Sequence, residues 1–206
     1  MTNDLFWGTL VLSLLHGLIP GHWLPVVALK KQFGWSAGVT LRVAAMAASA
    51  HAISTIGLGI VLAWAGGWMA DQVEAFTHWG MPLGLIALGI FFMYQHYMHH
   101  HFHLSHEEDV THASRRKVIG LLVLMMFLSP CLEIEAFFVL AGMQGWHTVG
   151  LVSALYAFLS VAGITLWVAV AQTGLQRLNW HRIEHNAGLI SGAVLVLTGV
   201  LSFFVK

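Results

Sequence analysis

The chain has 206 residues, of which 58% are hydrophobic and only 9% are charged, and its mean hydropathy is +0.76. Soluble domains carry roughly a quarter charged residues, so this composition excludes an ordinary soluble protein and predicts an all-α integral membrane protein. The formal net charge is zero, which gives no electrostatic basis for binding nucleic acid, and a single cysteine excludes an internal disulfide. Fourteen histidines need a separate explanation.

Six apolar segments are long enough to cross the hydrocarbon core of a bilayer, which takes about 20 helical residues. They cover residues 5–28, 39–65, 79–98, 117–142, 147–172 and 186–205. No stretch between them has the composition of an interdomain linker. The sequence therefore predicts a single polytopic membrane domain over residues 1–206, with six transmembrane helices.

The basic residues concentrate in or beside the first, third and fifth connections between these segments. Eight of the nine lie there, and only Lys206 does not. The positive-inside rule then places these three connections in the cytoplasm and both chain termini outside. The predicted location is the cell (inner) membrane, which the chain crosses several times.

The first segment carries His16 and His22 on either side of Pro20-Gly21, and the second carries His51 near its middle. In an unbroken helix, His16 and His22 would lie about 9 Å apart along the axis and could not bind one ion together. Proline removes a backbone hydrogen bond and glycine loosens the chain. A break at this point would let both histidines turn toward a common centre.

The fourth segment contains Cys131, Glu133 and Glu135 directly after Pro130. A charged side chain at the centre of a membrane helix costs roughly 2.5–3.5 kcal/mol on insertion scales, so the glutamates should face the bundle interior or have partners. If the helix resumes after Pro130, Cys131 and Glu135 share one face while Glu133 points elsewhere. Neutral glutamates packed between helices are the alternative.

Imidazole, thiolate and carboxylate together suit borderline divalent ions such as nickel, cobalt and zinc. Magnesium and calcium prefer oxygen ligands. Each residue alone has a simpler interpretation, a hydrogen-bonded packing histidine or a cysteine acting as a small hydrophobe. Taken together they predict an intramembrane metal site, formed by His16, His22, His51, Cys131, Glu133 and Glu135.

A weak internal repeat at an offset of 110 residues aligns Pro20 with Pro130 and Thr55 with Thr165. It predicts two three-helix halves, inserted in opposite orientations and each starting with a broken helix. Transporters built in this way bind substrate near the midplane between the halves. Alternating access, with the two proline turns as gates, is the expected mechanism. Chance matching of apolar residues is the alternative.

The third connection, residues 99–114, is histidine-rich and, by the distribution of charge, cytoplasmic. Its histidines could collect ions through loose, exchangeable contacts and pass them to the bundle. The alternative is a solvated polar turn. The predicted secondary, metal-collecting residues are His96, His99, His100, His101, His103 and His106.

The stretch from His16 to His22 has the form H-x-x-x-P-G-H. It resembles the first signature of the nickel/cobalt transporter superfamily, in its efflux and urease-accessory branches, whereas the permease branch has aspartate where Gly21 stands here. Ser49-x-His51 resembles the second histidine signature of that family, and Pro130-Cys131 resembles its proline–cysteine turn. The histidine-rich connection is similar to the metal-sensing or metal-delivering loop of the efflux branch.

This resemblance implies transport of a divalent transition metal rather than an enzymatic activity. The metal is then the substrate, nickel or cobalt in the first place, with zinc, manganese and iron as alternatives. His16, His22 and His51 would be ligands that replace the water around the ion, and Glu133 or Glu135 would supply negative charge. The expected partners are the metal ion, the lipid bilayer and, since many such proteins dimerise, a second copy in a homodimer.

A rival interpretation takes the protein as a membrane di-iron oxidoreductase. Residues 96–100 have the pattern H-x-x-H-H, and His181 and His185 are four apart, as in histidine-box hydroxylases and desaturases. Such enzymes need about eight histidines, and a second H-x-x-H-H box is missing here. The rival also leaves the histidines and glutamates of the apolar segments without a role. A haem protein would need a facing pair of histidines, and no convincing pair is evident.

Overall fold

The structure is a computed structural model that describes residues 2–66, 79–98, 115–129, 131, 133–174 and 186–202. Within these ranges it is helical and contains no strand, which confirms the all-α class. Each of the six predicted apolar segments coincides with one helix or with two consecutive helices. The eight helices of the described ranges are labelled α1 to α8 in chain order.

The first predicted segment forms two helices, α1 (Asn3–Leu18) and α2 (Pro20–Phe33), which meet at Ile19. Ile19 is extended, with φ −63° and ψ 116°, because a residue that precedes proline disfavours the helical conformation. Pro20 then occupies the first position of α2, where an N–H has no helical partner to lose. The predicted break therefore occurs at Pro20.

Two long helices form the middle of the bundle and pack against each other, α3 (Ala37–Gly66) and α7 (Trp146–Gly174). These two, and α1 with α2 taken together, are long and apolar enough to cross a membrane. Their outward faces carry large apolar side chains such as Ile53, 63% exposed, and Phe158, 72% exposed. Such surfaces fit a membrane protein, because exposed apolar area is stable against lipid and unfavourable in water.

The fourth predicted segment is also broken, into α5 (Arg115–Phe127) and α6 (Glu135–Gln144). The helix resumes only at Glu135, so the expectation that Cys131 and Glu135 share a helical face is wrong. At this break a tertiary contact takes the place of helical ones: the backbone N–H of Cys131 donates to Oγ1 of Thr55 in α3 at 3.2 Å.

The remaining helices, α4 (Met81–Met98) and α8 (Ala187–Ser202), pack against each other with their backbones close. A Cβ on Gly89 would lie 2.6 Å from the carbonyl oxygen of Gly192, and one on Gly199 would lie 2.7 Å from that of Pro82. Early residues of α4 thus meet late residues of α8, so the two helices are antiparallel. Both contain apolar stretches shorter than those of the long helices.

Two apolar clusters fill the bundle. The first is formed by α2, the start of α3, α5 and the end of α7, and it includes Trp23, Ala44, Leu122 and Val168. The second is formed by α1, the later part of α3, α6 and the start of α7, and it includes Leu12, Ala63, Phe138 and Val152. The two helix breaks and the middle of α3 lie between the two clusters along the chain, and the buried residues there include polar ones.

Candidate metal site

Four buried side chains converge where the helices break. His16 lies in the last turn of α1 and His22 in the first turn of α2. His51 lies in the middle of α3, and Cys131 lies between α5 and α6. Each has an exposed fraction of at most 9%. One ligand atom from each residue lies within 4.8 Å of the other three, so the group, called the His3Cys group below, could hold a metal ion.

The break at Ile19 brings the first two histidines together. The rings of His16 and His22 have their centroids 4.3 Å apart, although an unbroken helix would separate these residues by about 9 Å along its axis. The carbonyl of His16 loses its usual donor because Pro20, four residues later, has no N–H. It accepts from the N–H of Ile19 at 3.1 Å instead, which closes the last turn of α1.

His16 and His51 face each other edge to edge. Their rings are parallel within 1°, and their Nε2 atoms are 3.2 Å apart. On the far side of each ring, Nδ1 meets an oxygen: Oε2 of Glu133 at 3.4 Å for His16, and the carbonyl oxygen of Met126 at 3.2 Å for His51. Because a carbonyl or a carboxylate accepts, we assign the ring proton to Nδ1 in both histidines.

This assignment leaves a lone pair on each of the two facing Nε2 atoms. Two lone pairs at 3.2 Å repel unless a cation lies between them. Ligands around a tetrahedral zinc-like ion are about 3.3–3.6 Å apart, given metal–nitrogen and metal–sulfur bonds of about 2.0 and 2.3 Å. The observed spacing is therefore close to that of a metal-binding pair.

Cys131 and His22 complete the group from the opposite side. Sγ of Cys131 lies 3.4 Å from Nε2 of His22, and the bond from Cys131 N–H to Thr55 holds this segment against α3. Nδ1 of His22 is buried and has no hydrogen-bond partner within the described ranges. Three imidazoles and one thiol form a donor set that zinc, cobalt and nickel accept and that magnesium and calcium do not.

The two glutamates occupy different positions relative to the group. Glu133 is 8% exposed and accepts the hydrogen bond from His16, so it lies behind a ligand rather than among the four. Carboxylates in this position orient a metal-binding histidine and raise its basicity. Glu135 is 5% exposed, and neither of its carboxylate oxygens has a hydrogen-bond partner in the part of the chain that the structure describes.

Three contributors were missed by the analysis of the sequence. Tyr156 of α7 is fully buried with its ring 5.7 Å from that of His16, and apolar periodicity gives no sign of this contact. Thr55 was noted only as part of the repeat. The carbonyl of Met126 could have been found, because Pro130 stands four residues later and cannot supply the N–H that a helix would use.

The histidine-rich connection, residues 99–114, lies outside the described residues. His99, His100, His101, His103 and His106 lie outside the described residues, as does Pro130 itself. His181 and His185 of the rival interpretation lie outside them too. His96 belongs to α4, but its side chain is outside the description.

Comparisons with known proteins give no match. Neither a scan against protein-family models nor searches of curated proteins and of solved structures find one for this chain. The functional proposal therefore depends on the geometry of the site.

Proposed function

We propose that this protein is a six-span membrane transporter of a divalent transition metal, with the His3Cys group as the binding site for its substrate. The observation that carries the proposal is the pair of facing Nε2 atoms of His16 and His51, 3.2 Å apart, each with its Nδ1 against an oxygen. Such a pair is stable with a cation between the rings. Nickel and cobalt are the first candidates, followed by zinc, manganese and iron.

The charges around the group favour a divalent ion. A thiol that coordinates a metal is deprotonated, so Cys131 would carry one negative charge when the ion is bound. Glu133 carries the second negative charge and accepts a hydrogen bond from His16. With a divalent ion the assembly is neutral, which keeps the cost of holding it at the depth of the hydrocarbon core low.

The two breaks support the proposal of an inverted repeat. In the first, the N–H of Ile19 donates to the carbonyl of His16, and in the second the N–H of Ser129 donates to that of Met126. Both carbonyls stand four residues before a proline, and the two bonds are related by the offset of 110 residues that the sequence predicts.

The packing of the helices follows the same repeat, in which α1, α2 and α3 of the first half are equivalent to α5, α6 and α7 of the second half. Helix α1 packs against α7 as α5 packs against α3, and α2 packs against α7 as α6 packs against α3. The remaining equivalent pairs, α3 with α7 and α4 with α8, pack against each other. Two halves with equivalent packing, and a site where the broken helix of each half meets the other, are typical of transporters that work by alternating access.

Side-chain contacts support the predicted orientation in the membrane. The guanidinium of Arg115, at the start of α5, lies 5.8 Å from the ring centroid of Trp35, which joins α2 to α3. The basic residues of the first and third connections are therefore at one end of the bundle. The backbone N–H of Thr2 donates to Oε1 of Gln144, at the end of α6, with a distance of 3.1 Å. We assign the basic end to the cytoplasm and the N-terminus to the outside.

The experiment that tests this function measures binding and flux separately. Purified protein titrated with Co²⁺ should show the intense visible bands of a tetrahedral site together with a thiolate-to-cobalt band in the near ultraviolet. Cys131→Ser should remove the thiolate band alone. In proteoliposomes, His16→Ala and His51→Ala should abolish metal flux, whereas His147→Ala, an exposed histidine at the start of α7, should not.

Two outcomes would contradict the proposal. Tight binding with no flux under any gradient would indicate a resident metal rather than a substrate. About two irons per chain and oxygen-dependent turnover would indicate the di-iron oxidoreductase, which uses the cytoplasmic histidines instead of the His3Cys group.

A further inference from the structure

Glu135 is a buried carboxylate whose negative charge the His3Cys group does not neutralise. It opens α6 with an exposed fraction of 5%, and neither of its oxygens has a partner within the described ranges. A bound divalent ion is already balanced by Cys131 and Glu133. A buried charge without a partner is costly, so such a carboxylate needs a cation, a proton or water beside it.

A second polar atom without a partner is found in a helix that packs against α6. Ser13 lies on α1 one turn before His16, is 1% exposed, and its hydroxyl has no partner in the part of the chain that is described. Helix α6 packs against α1, α3 and α7. Glu135 is also close enough to Cys131 for an electrostatic interaction. Glu135 is thus near the His3Cys group without being part of it, and Ser13 lies one turn before His16 of that group.

The chemistry of these oxygens differs from that of the group. A carboxylate and a hydroxyl suit a cation that still carries water, whereas imidazoles and a thiolate replace that water. An ion that moves from solvent to the group has to exchange its ligands stepwise. Helix α6 begins beside the group with Glu135 and ends at Gln144, which accepts a hydrogen bond from Thr2 near the N-terminus. An oxygen-lined position at Glu135 therefore lies toward the end of the bundle that carries the N-terminus.

We propose that Glu135 forms a second cation position, a transfer site that a partly hydrated divalent ion occupies between the His3Cys group and the N-terminal face of the membrane. The inference rests on the proposed transport function and adds to it the path of the ion on one side. It also assigns Glu133 and Glu135 to different tasks: Glu133 orients His16, and Glu135 exchanges the ion.

The test compares the full-length protein with Glu135→Gln in three measurements. The first is the Co²⁺ titration, in which the thiolate-to-cobalt band of the variant should match that of the wild type, and this also reports correct folding. The affinity should fall by less than in Glu133→Gln, because Glu135 acts on the group only through its charge. The second is the initial rate of Co²⁺ flux in proteoliposomes. It should fall by about tenfold or more, within the range over which a local charge changes association rates. Ser13→Ala should slow flux in the same direction but less.

The third measurement counts bound Mn²⁺ by electron paramagnetic resonance after Zn²⁺ has filled the His3Cys group. Manganese prefers oxygen ligands, so the wild type should bind one more Mn²⁺ per chain than Glu135→Gln. Any Mn²⁺ bound by the histidine-rich connection is the same in both proteins and does not affect this difference. Equal Mn²⁺ binding would overturn the second position, even if flux were slower, because Glu135 would then act on protons. Loss of the cobalt band in Glu135→Gln would overturn it too, by making Glu135 part of the group.

The failure of this inference and that of the proposed function are distinguishable. A wild type without flux would contradict transport, while the Mn²⁺ difference would still decide whether a cation binds at Glu135. A wild type with flux and with no Mn²⁺ difference would leave transport intact and overturn the second position.

Discussion

The proton on each histidine ring decides which atom can bind the ion. In His16 and His51 the Nδ1 atoms are engaged by Glu133 and by the carbonyl of Met126, so the Nε2 atoms remain for the metal. The four residues of the His3Cys group were among the six that the sequence predicts, because histidines between apolar residues and beside a proline are conspicuous. Their tautomers were not, because each depends on an oxygen supplied by a segment far away in the chain.

Glu133→Gln should lower the affinity for Co²⁺ by about 10–100-fold, the effect of altering a carboxylate that supports a metal-bound histidine. The amide can still accept from Nδ1 of His16 but carries no charge, so the ring becomes less basic and the site keeps a net positive charge when occupied. The measurement is a competition titration with a chelator of known affinity.

The matched control is Glu135→Gln, which removes a charge of the same type two residues further along the chain. It should lower the affinity of the His3Cys group by much less, because neither oxygen of Glu135 is hydrogen-bonded to a residue of the group. Equal losses in the two variants would mean that the glutamates act only through their total charge, and the specific role of Glu133 would be wrong.

Among the elements, the two broken helices matter most. Proline at positions 20 and 130 withholds a backbone donor from His16 and Met126, and both carbonyls then take a weaker or a tertiary partner. The positions of the breaks were predictable because proline chemistry is local. The length of the second break was not, because it depends on tertiary contacts such as the bond from the N–H of Cys131 to Thr55.

Pro20→Ala should weaken Co²⁺ binding by about tenfold or more while leaving the thermal stability equal or higher. Alanine restores an N–H for the carbonyl of His16 and is favoured over proline in a helix interior by about 3 kcal/mol, so α1 can continue into α2 and turn His22 away. Binding is measured by titration and stability by thermal unfolding in detergent.

Pro82→Ala serves as the control for this change, because Pro82 lies in the first turn of α4 and outside the His3Cys group. Its metal affinity should equal that of the wild type. A Pro20→Ala variant that binds Co²⁺ as tightly as the wild type would show that the break at Ile19 is not what brings His16 and His22 together.

Close backbone packing of α4 on α8 gives a prediction about stability alone. A Cβ on Gly192 would lie 2.5 Å from Cγ of Met93 and 2.6 Å from the carbonyl oxygen of Gly89. Gly192→Ala should therefore lower the free energy of unfolding by about 1–3 kcal/mol, as overpacking does. Gly84→Ala, on α4 with open space around it, should be neutral or slightly stabilising, because alanine favours helices.

Denaturant unfolding in detergent measures both variants. If Gly192→Ala were as stable as Gly84→Ala, the two helices would not be packed as closely as the structure has them. Metal binding should be unaffected in both, since neither glycine touches the His3Cys group.

On the scale of the whole molecule, the distribution of polarity differs from that in a soluble protein. Histidine, glutamate and threonine occupy the interior at the level of the breaks, while Ile53, Phe158 and other large apolar side chains face outward. This arrangement is stable when lipid surrounds the bundle, because exposed apolar side chains are favourable against lipid and unfavourable in water. The apolar outer surface could be predicted from the composition, whereas the convergence of the polar residues could not.

The proposed orientation predicts which sites are labelled in intact cells. Cys131→Ser removes the single cysteine, and Gln32→Cys or Met143→Cys then introduces one at an exposed position near each end of the bundle. A membrane-impermeant maleimide should label Met143→Cys from outside and Gln32→Cys only after permeabilisation. Labelling of both from the same side would contradict the topology and, with it, the inverted repeat.

The sequence by itself determined the elements: six apolar segments, two of them interrupted at proline, with two histidines and a cysteine at the interruptions and a third histidine in the middle of the second segment. These are local properties, set by apolar runs and by the missing N–H of proline. Only the tertiary structure decided that Glu133 rather than Glu135 supports His16, that Met126 orients His51, and that Thr55 accepts the backbone N–H of Cys131. Each of these contacts joins residues 75 or more positions apart, and a periodic pattern along one helix carries no information about the partner that another helix presents.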